Sequence, residues 1–378
     1  MAGIYIHIPF CKKLCSYCDF YHLTDLTNSR LFIDAVVREA EMRKGYLSND
    51  KVSTVYFGGG TPSILPPDDL KEIYSAIRSS YDICDNSEVT IEVNPDDVTN
   101  ELLSAYRNIG INRISIGIQS WRNDDLRLLN RRHNASQAAL SIEEAIKAGF
   151  GNISVDLIYG IPGMTLKDWS SNIEITLGFD IKHLSAYHLT FEKGTALSRM
   201  KEKGLVSEVD EEESNSQFHL LLERTQAAGL IQYEISNFAK KDFFSIHNSN
   251  YWKQVNYIGL GPSAHSFNGY SRQWNTRDLK TYFDGIFSGN LSYEREELDT
   301  KTRFNEYIMT SLRTMWGIDL DYVEKTFDKE GYDYLTNLAG KFINYGLMNQ
   351  DKNTLVLTNQ GKMISDNIIS ELMLPGND

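Results

Sequence analysis

Cys11, Cys15 and Cys18 place three of the chain's four cysteines within eight residues, in Pro9-Phe10-Cys11-Lys12-Lys13-Leu14-Cys15-Ser16-Tyr17-Cys18-Asp19-Phe20. Thiolates are soft ligands that suit zinc and iron–sulfur clusters. A cubane held by four cysteines has every iron closed, whereas three cysteines leave one iron open. Spacings of four and three residues let one short loop reach three corners of such a cluster. The open corner can then chelate the amino and carboxylate groups of an added ligand. The same residues admit a zinc site completed by His7, His22 or the distant Cys84. Structural zinc, however, usually adds a second Cys-x2-Cys or His-x3-His pair, and none occurs here.

A second set of residues suits a bound ligand. Gly58-Gly59-Gly60-Thr61-Pro62-Ser63 follows an apolar run and offers backbone that a ligand can approach closely. It lacks the Lys-Ser/Thr ending of a P-loop, and it reads equally as a phosphate loop or a tight turn. Glu92, Gln119, Arg131 and Asp156 stand at or beyond the ends of apolar runs. Carboxylates accept from ribose hydroxyls or ammonium groups, and an arginine fork clamps a carboxylate. Singly each is more often a structural hydrogen-bonder; with the cysteine loop they form a candidate cofactor shell. In His247-Asn248-Ser249-Asn250-Tyr251-Trp252 the histidine or tyrosine can ligate haem iron and the indole can stack on a porphyrin. A lone histidine beside aromatics is more often structural. His265 is a lesser candidate, and His22 and His188 lesser still.

These residues need a frame. Short β-branched and aromatic runs predict strands over Gly3 to Ile8, Val52 to Phe57, Val89 to Val93, Arg113 to Ile118, Ile153 to Ile158 and His183 to Leu189. Apolar residues at helical spacing lie between them, in Leu31 to Met42, Leu70 to Ile77, Leu102 to Tyr106, Ala138 to Ala148 and Trp169 to Leu177. The alternation predicts an α/β fold with a parallel sheet, and six strands rather than eight suggest an open, partial barrel. Every chemically loaded motif follows one of these strands, where parallel α/β folds place their sites. The acidic run Ser207 to Glu213 reads as the start of a helix reaching Ala228, and Tyr233 to Ser236 as an extended segment. After Ser292 the pattern turns to helices in Phe304 to Trp316, Leu335 to Tyr345 and Lys362 to Leu372, with a hairpin strand at Thr354 to Leu357. This places a boundary between 1–292 and a winged-helix-like module over 293–378.

Lysines and arginines number 38 against 51 acidic residues, a net charge of −13, which disfavours attraction to nucleic acid or an anionic membrane. No stretch approaches the roughly 20 apolar residues of a membrane span. Met1 to Ile8 lacks the basic start and unbroken apolar run of a secretory signal. A cytoplasmic protein with reduced thiols is expected, in transient contact with membranes at most.

The cysteine spacing, with an aromatic just before the last ligand, resembles the radical S-adenosylmethionine (radical SAM) superfamily. There the open iron binds the methionine end of S-adenosylmethionine, and an electron from the cluster cleaves the sulfonium. Tyr5-Ile6-His7-Ile8-Pro9-Phe10-Cys11, the triple glycine with Thr61-Pro62-Ser63, Ile91-Glu92-Val93-Asn94-Pro95, Gly117-Ile118-Gln119-Ser120 and Asp156-Leu157-Ile158-Tyr159-Gly160-Ile161-Pro162-Gly163 narrow the likeness. They resemble the oxygen-independent coproporphyrinogen III oxidase family along essentially the whole chain. By this resemblance Tyr5, Gly59 and Glu92 contact the cluster-bound S-adenosylmethionine. Tyr17, Gly60, Thr61, Gln119, Arg131 and Asp156 match positions that surround a second one in the oxidase. Two departures point to another branch: Phe20 stands where the oxidase carries a further cysteine, and the first ligand is already residue 11, without the oxidase's N-terminal extension. The pattern resembles instead the HemW-like haem chaperones, which share the His-Asn-x-x-Tyr-Trp segment.

The resemblance implies a partial (β/α)6 radical SAM barrel followed by a HemN-type helical module. It implies a 4Fe-4S cluster on Cys11, Cys15 and Cys18, one S-adenosylmethionine or two, and haem as cargo contacted by His247, Tyr251 and Trp252. Expected partners are haem or a porphyrin, haem-accepting membrane enzymes and an electron donor; a homodimer is admitted and nucleic acid is not expected. The alternative reading is porphyrin biosynthesis, in which coproporphyrinogen III is oxidatively decarboxylated to protoporphyrinogen IX. A third is radical chemistry on another substrate.

Overall fold

The computed structural model describes residues 1–48 and 50–375. The six expected strands form the centre of one sheet: β1 (Ala2–Ile8), β2 (Val52–Gly59), β3 (Ile83–Val93), β4 (Arg113–Gln119), β5 (Ile153–Tyr159) and β6 (His183–His188). Each pairs in parallel with the next. β1 is buried at nearly every position, as befits a parallel strand covered on both faces. The helices expected between the strands are present, at Ser29–Met42, Pro67–Ser80, Asn100–Ile109, Ala135–Lys147 and Leu166–Leu177. Two of them start with reciprocal caps, Asn134 with Gln137 and Thr165 with Asp168. The acidic run also opens a helix, Glu211–Ala227, whose first turn is Glu211, Glu212 and Glu213.

The sheet extends beyond the six strands. β7 (Ile231–Gln232) and β8 (Asn237–Ala239) add to β6 at one edge. At the other, β9 (Tyr257–Leu260) lies parallel to β1 and is followed by β10 (His265–Phe267), β11 (Ser271–Asn275) and β12 (Tyr293–Glu297), all antiparallel to their neighbours. The order β12-β11-β10-β9-β1-β2-β3-β4-β5-β6-β8-β7 leaves two free edges, so the barrel is open. The extension is stitched to the first helix by Glu39, fully buried, which accepts from Arg43, the Gly261 N–H, Asn275 and the Tyr282 hydroxyl.

Tyr233 to Ser236 is not a strand but the turn joining β7 to β8. The buried Glu234 carboxylate closes it by accepting from Asn237 and from the Ser236 N–H. β12 pairs with β11 and so lies in the large sheet, just after residue 292, while a second apolar core starts at Phe304. That core gathers Phe304, Ile308, Leu312, Leu335, Phe342, Leu355 and Ile368 beneath a small sheet of β13 (Ile318–Asp319), β14 (Met348–Asp351) and β15 (Thr354–Leu357). The middle helix is longer than its apolar pattern suggested, Leu320–Asn344, with a break at Phe327 and Asp328. Among the described residues no helix is long and apolar enough to cross a membrane.

Candidate functional site

The cysteine loop leaves β1 and is held at its root. Cys11 N–H donates to Leu23 O at 2.8 Å and Leu23 N–H to Pro9 O at 2.6 Å, so residues 10 and 23 close the loop. Its middle is tied to the turn after β4: the Ser16 hydroxyl donates to Leu128 O at 2.8 Å and Asn130 Nδ2 to Leu14 O at 2.6 Å. Lys12 Nζ reaches the buried Asp97 at 2.7 Å, and Arg132 and Ser63 bond the same carboxylate. Burial raises the Asp97 pKa, but the Lys12 and Arg132 contacts outweigh it and hold the group below the usual range.

Three thiols thus line one wall of a cleft of about 520 Å³. They do not converge as ligands of one ion would, and among the described residues no such group exists. A cubane takes its ligands at separate corners, and the donor set suits one. Arg131, half-buried, sets a guanidinium 3.3 Å from Cys15 Sγ, and the Thr61 hydroxyl donates to Cys11 Sγ at 3.5 Å. Both stabilise thiolate charge. Burial pushes the metal-free Cys11 and Cys18 thiols up, Cys18 to about 11, so their protons leave when a metal centre binds. A bound cluster with one open iron would supply a chelation site and an electron; the chain's part is to fix the loop and shape the cleft.

The glycine turn is not a phosphate cradle. An anion nest needs free amides, and here the N–H groups of Gly59, Gly60 and Thr61 already bond Glu92, Ile8 O and Phe10 O. Its glycines answer instead to crowding by the chain. A Cβ on Gly59, at φ +110, would lie 2.7 Å from His7 Nδ1, and one on Gly60 would lie 2.7 Å from Phe10 O.

Past the turn, Glu92 accepts from the Tyr56 hydroxyl at 2.8 Å and the Gly59 N–H at 3.2 Å. Asp156 accepts from Ser115. Gln119 ends β4 at φ +69, a left-handed conformation that costs a non-glycine residue about 1 kcal/mol and is retained where a site needs it. Arg131 Nη2 bonds Asn94 Oδ1 at 2.6 Å and Gly117 O at 2.7 Å, joining the ends of β3 and β4.

Burial, aided by Asp156, pushes the Glu92 carboxyl up to about 7 against its two hydrogen bonds. The folded protein therefore keeps a proton that the unfolded carboxyl releases near 4.5, and stability contributed by this group falls as pH rises from about 4.5 through 7. A cationic ligand, such as the S-adenosylmethionine implied by resemblance, favours the ionised form. Glu92→Gln should stabilise the ligand-free protein at pH 8 by about 1–3 kcal/mol and weaken that ligand by a similar amount. In calorimetry the wild-type affinity should rise with pH through 7 and the variant's should stay flat; a rise in both would assign the titration to another group.

Of the expected residues, the cleft brings together Cys11, Cys15, Cys18, Tyr17, Gly59, Gly60, Thr61, Glu92, Gln119, Arg131 and Asp156. Tyr5, expected to touch S-adenosylmethionine, stands behind the wall with its hydroxyl 3.1 Å from His7 Nδ1. His247, expected as an iron ligand, is 2% exposed; its Nδ1 lies 2.8 Å from Thr54 Oγ1 and its Nε2 2.9 Å from the Tyr251 hydroxyl. With both nitrogens engaged and burial pushing it down to about 3, this neutral ring has no free position for iron. It packs on Tyr56 at 4.9 Å and so supports the residue that holds Glu92. Trp252 faces a different cleft. The sequence reading missed Tyr56, Arg113, Ser115, Ser185 and Tyr187 on the site's walls. A signal existed: Arg113, Ser115, Gly117 and Gln119 alternate along β4, so one face of that strand lines the cleft.

Comparison with known proteins bears on the family and the fold. The model of the Radical SAM superfamily matches residues 5–174. The chain is 31% identical to the haem chaperone HemW of Bacillus subtilis over 377 residues, covering 99% of both. It is 35% identical over 265 residues to the mitochondrial radical S-adenosyl methionine domain-containing protein 1 of Danio rerio, covering 70% of this chain and 60% of that one. Among solved structures, coproporphyrinogen III oxidase (HemN) of Escherichia coli superposes with a TM-score of 0.85 at 22% identity, covering 98% of this chain and 90% of that one, a likeness of fold.

Proposed function

Because the chain belongs to the HemW family of the radical SAM superfamily, we propose that it binds haem and passes it to haem-requiring membrane enzymes. A 4Fe-4S cluster and S-adenosylmethionine in the cleft support the transfer. The observation that carries this reading is the likeness along the full length to relatives named as haem chaperones. Phe20 is consistent with it: at the position where the decarboxylating oxidase is expected to carry a further cysteine, this chain presents a side chain 66% exposed, with no thiol. Arg131 and Glu92 would then take the carboxylate and the cationic groups of S-adenosylmethionine, and the Asp97 contacts hold the loop that brings the cluster to it. The protein works in the cytoplasm and meets the membrane only when it delivers.

Anaerobic reconstitution followed by parallel assays tests the proposal. The protein should bind about one haem per chain and leave coproporphyrinogen III unconverted under conditions in which a genuine oxidase consumes it. Protoporphyrinogen production at a rate comparable to that oxidase would instead assign the chain to decarboxylation.

A further inference from the structure

A second cleft, of about 600 Å³, runs between the sheet extension and the C-terminal module. Trp252, Lys253 and Tyr270 line it from the extension, and Arg303, Trp316 and Tyr322 from the module. Two cation–aromatic pairs span the two units. Lys253 Nζ lies 4.0 Å from the centre of the Trp316 ring, and the Arg303 guanidinium 5.3 Å from that of Tyr270. Among the described residues neither cation is in an ion pair. The carboxylates lining the same cleft are committed elsewhere: Glu306 pairs with Arg272 at 2.9 Å, and Asp319 caps the helix Leu320–Asn344. In a chain of net charge −13, an aromatic cleft with two uncommitted cations selects a flat ligand carrying two negative charges.

We propose that this second cleft is the haem site: the porphyrin lies against Trp252, with its two propionates reaching Lys253 and Arg303. The assignment rests on the haem-carrier reading and gives it a location apart from the cluster. Each cation exchanges an exposed cation–aromatic contact for a charge-assisted hydrogen bond, the stronger interaction. The cleft wall holds no histidine, cysteine or methionine, so iron would take a phenolate. Tyr270 and Tyr322 are the accessible ones, at 69% and 39% exposure.

The test titrates the full-length protein with haemin and with haemin dimethyl ester, whose propionates carry no charge, following Soret absorbance. Lys253→Glu combined with Arg303→Glu should weaken haemin on the order of a hundredfold, about tenfold per lost contact. The ester should bind wild type and variant alike, and iron content after cluster reconstitution should not change. Should the double reversal lower the melting temperature, Lys253→Gln and Arg303→Gln, each alone, carry the same comparison. Unchanged haemin affinity in these variants would overturn the site while leaving the haem-carrier reading in place. Failure of the wild type to bind haemin at all would overturn both.

Discussion

Replacing Cys11, Cys15 or Cys18 with alanine should abolish the cluster in anaerobically reconstituted protein. Iron and sulfide should fall from about four of each per chain to background. Addition of S-adenosylmethionine, which should perturb the reduced wild-type protein's paramagnetic spectrum, should then change nothing. The three thiols are half-buried on one loop; His22 Nδ1 stands 3.8 Å from Cys18 Sγ but also bonds Phe20 O. The apo fold should tolerate each change, because the loop is held by Lys12, Ser16 and the Phe10–Leu23 closure rather than by the thiols. A melting temperature of the metal-free protein near wild type therefore separates loss of ligation from loss of fold. Cys84→Ala is the contrasting case. Cys84 lies beside the Val52–Ile83 pairing at the start of β3, the end of the strand remote from Glu92 and the cleft. It should keep full iron and the full response, and equal loss on changing it would overturn the three-ligand site.

The parallel core was legible because its strands are rich in β-branched and aromatic residues and its helices are amphipathic, two patterns that the sequence states directly. All six strand positions and the motifs at their ends follow from that alternation. The extension was not legible: β10 has three residues and β12, fully exposed, reads Tyr293-Glu294-Arg295-Glu296-Glu297, with no apolar face to announce a strand. It exists because Glu39 and Arg43 bury a polar network that only tertiary contact can satisfy. In the site, residue types gave away the thiols and carboxylates. They misled at His247: Tyr251, one helical turn on, takes one nitrogen, but Thr54, which takes the other, lies nearly two hundred residues earlier, so no local signal marks both as taken. The glycines were found for a partly wrong reason. Spacing suggested room for a ligand, whereas the atoms that crowd Gly60 are Ile8 O, Phe10 O and Cys11 Sγ.

That crowding makes Gly60→Val a severe change, and one that acts on the cluster before it acts on any other ligand. A Cβ at Gly60 would meet Phe10 O at 2.7 Å and both Cys11 Sγ and Ile8 O at 3.0 Å, and two of these three atoms are backbone that cannot swing away. The strand end must move. Gly60 N–H to Ile8 O, at 2.7 Å, and Thr61 N–H to Phe10 O, at 2.8 Å, are the bonds that join the exits of β1 and β2, and both break if it does. Overpacking and two lost hydrogen bonds together cost about 2–4 kcal/mol. The displaced residue is Cys11 itself, so iron content and melting temperature should fall together, with Gly60→Ala intermediate in both. Binding of S-adenosylmethionine should disappear with the iron rather than independently of it. A Gly60→Val protein that keeps its iron and its melting temperature yet loses S-adenosylmethionine would show instead that the turn is shaped for the ligand, and that the chain's own crowding at this glycine has little weight.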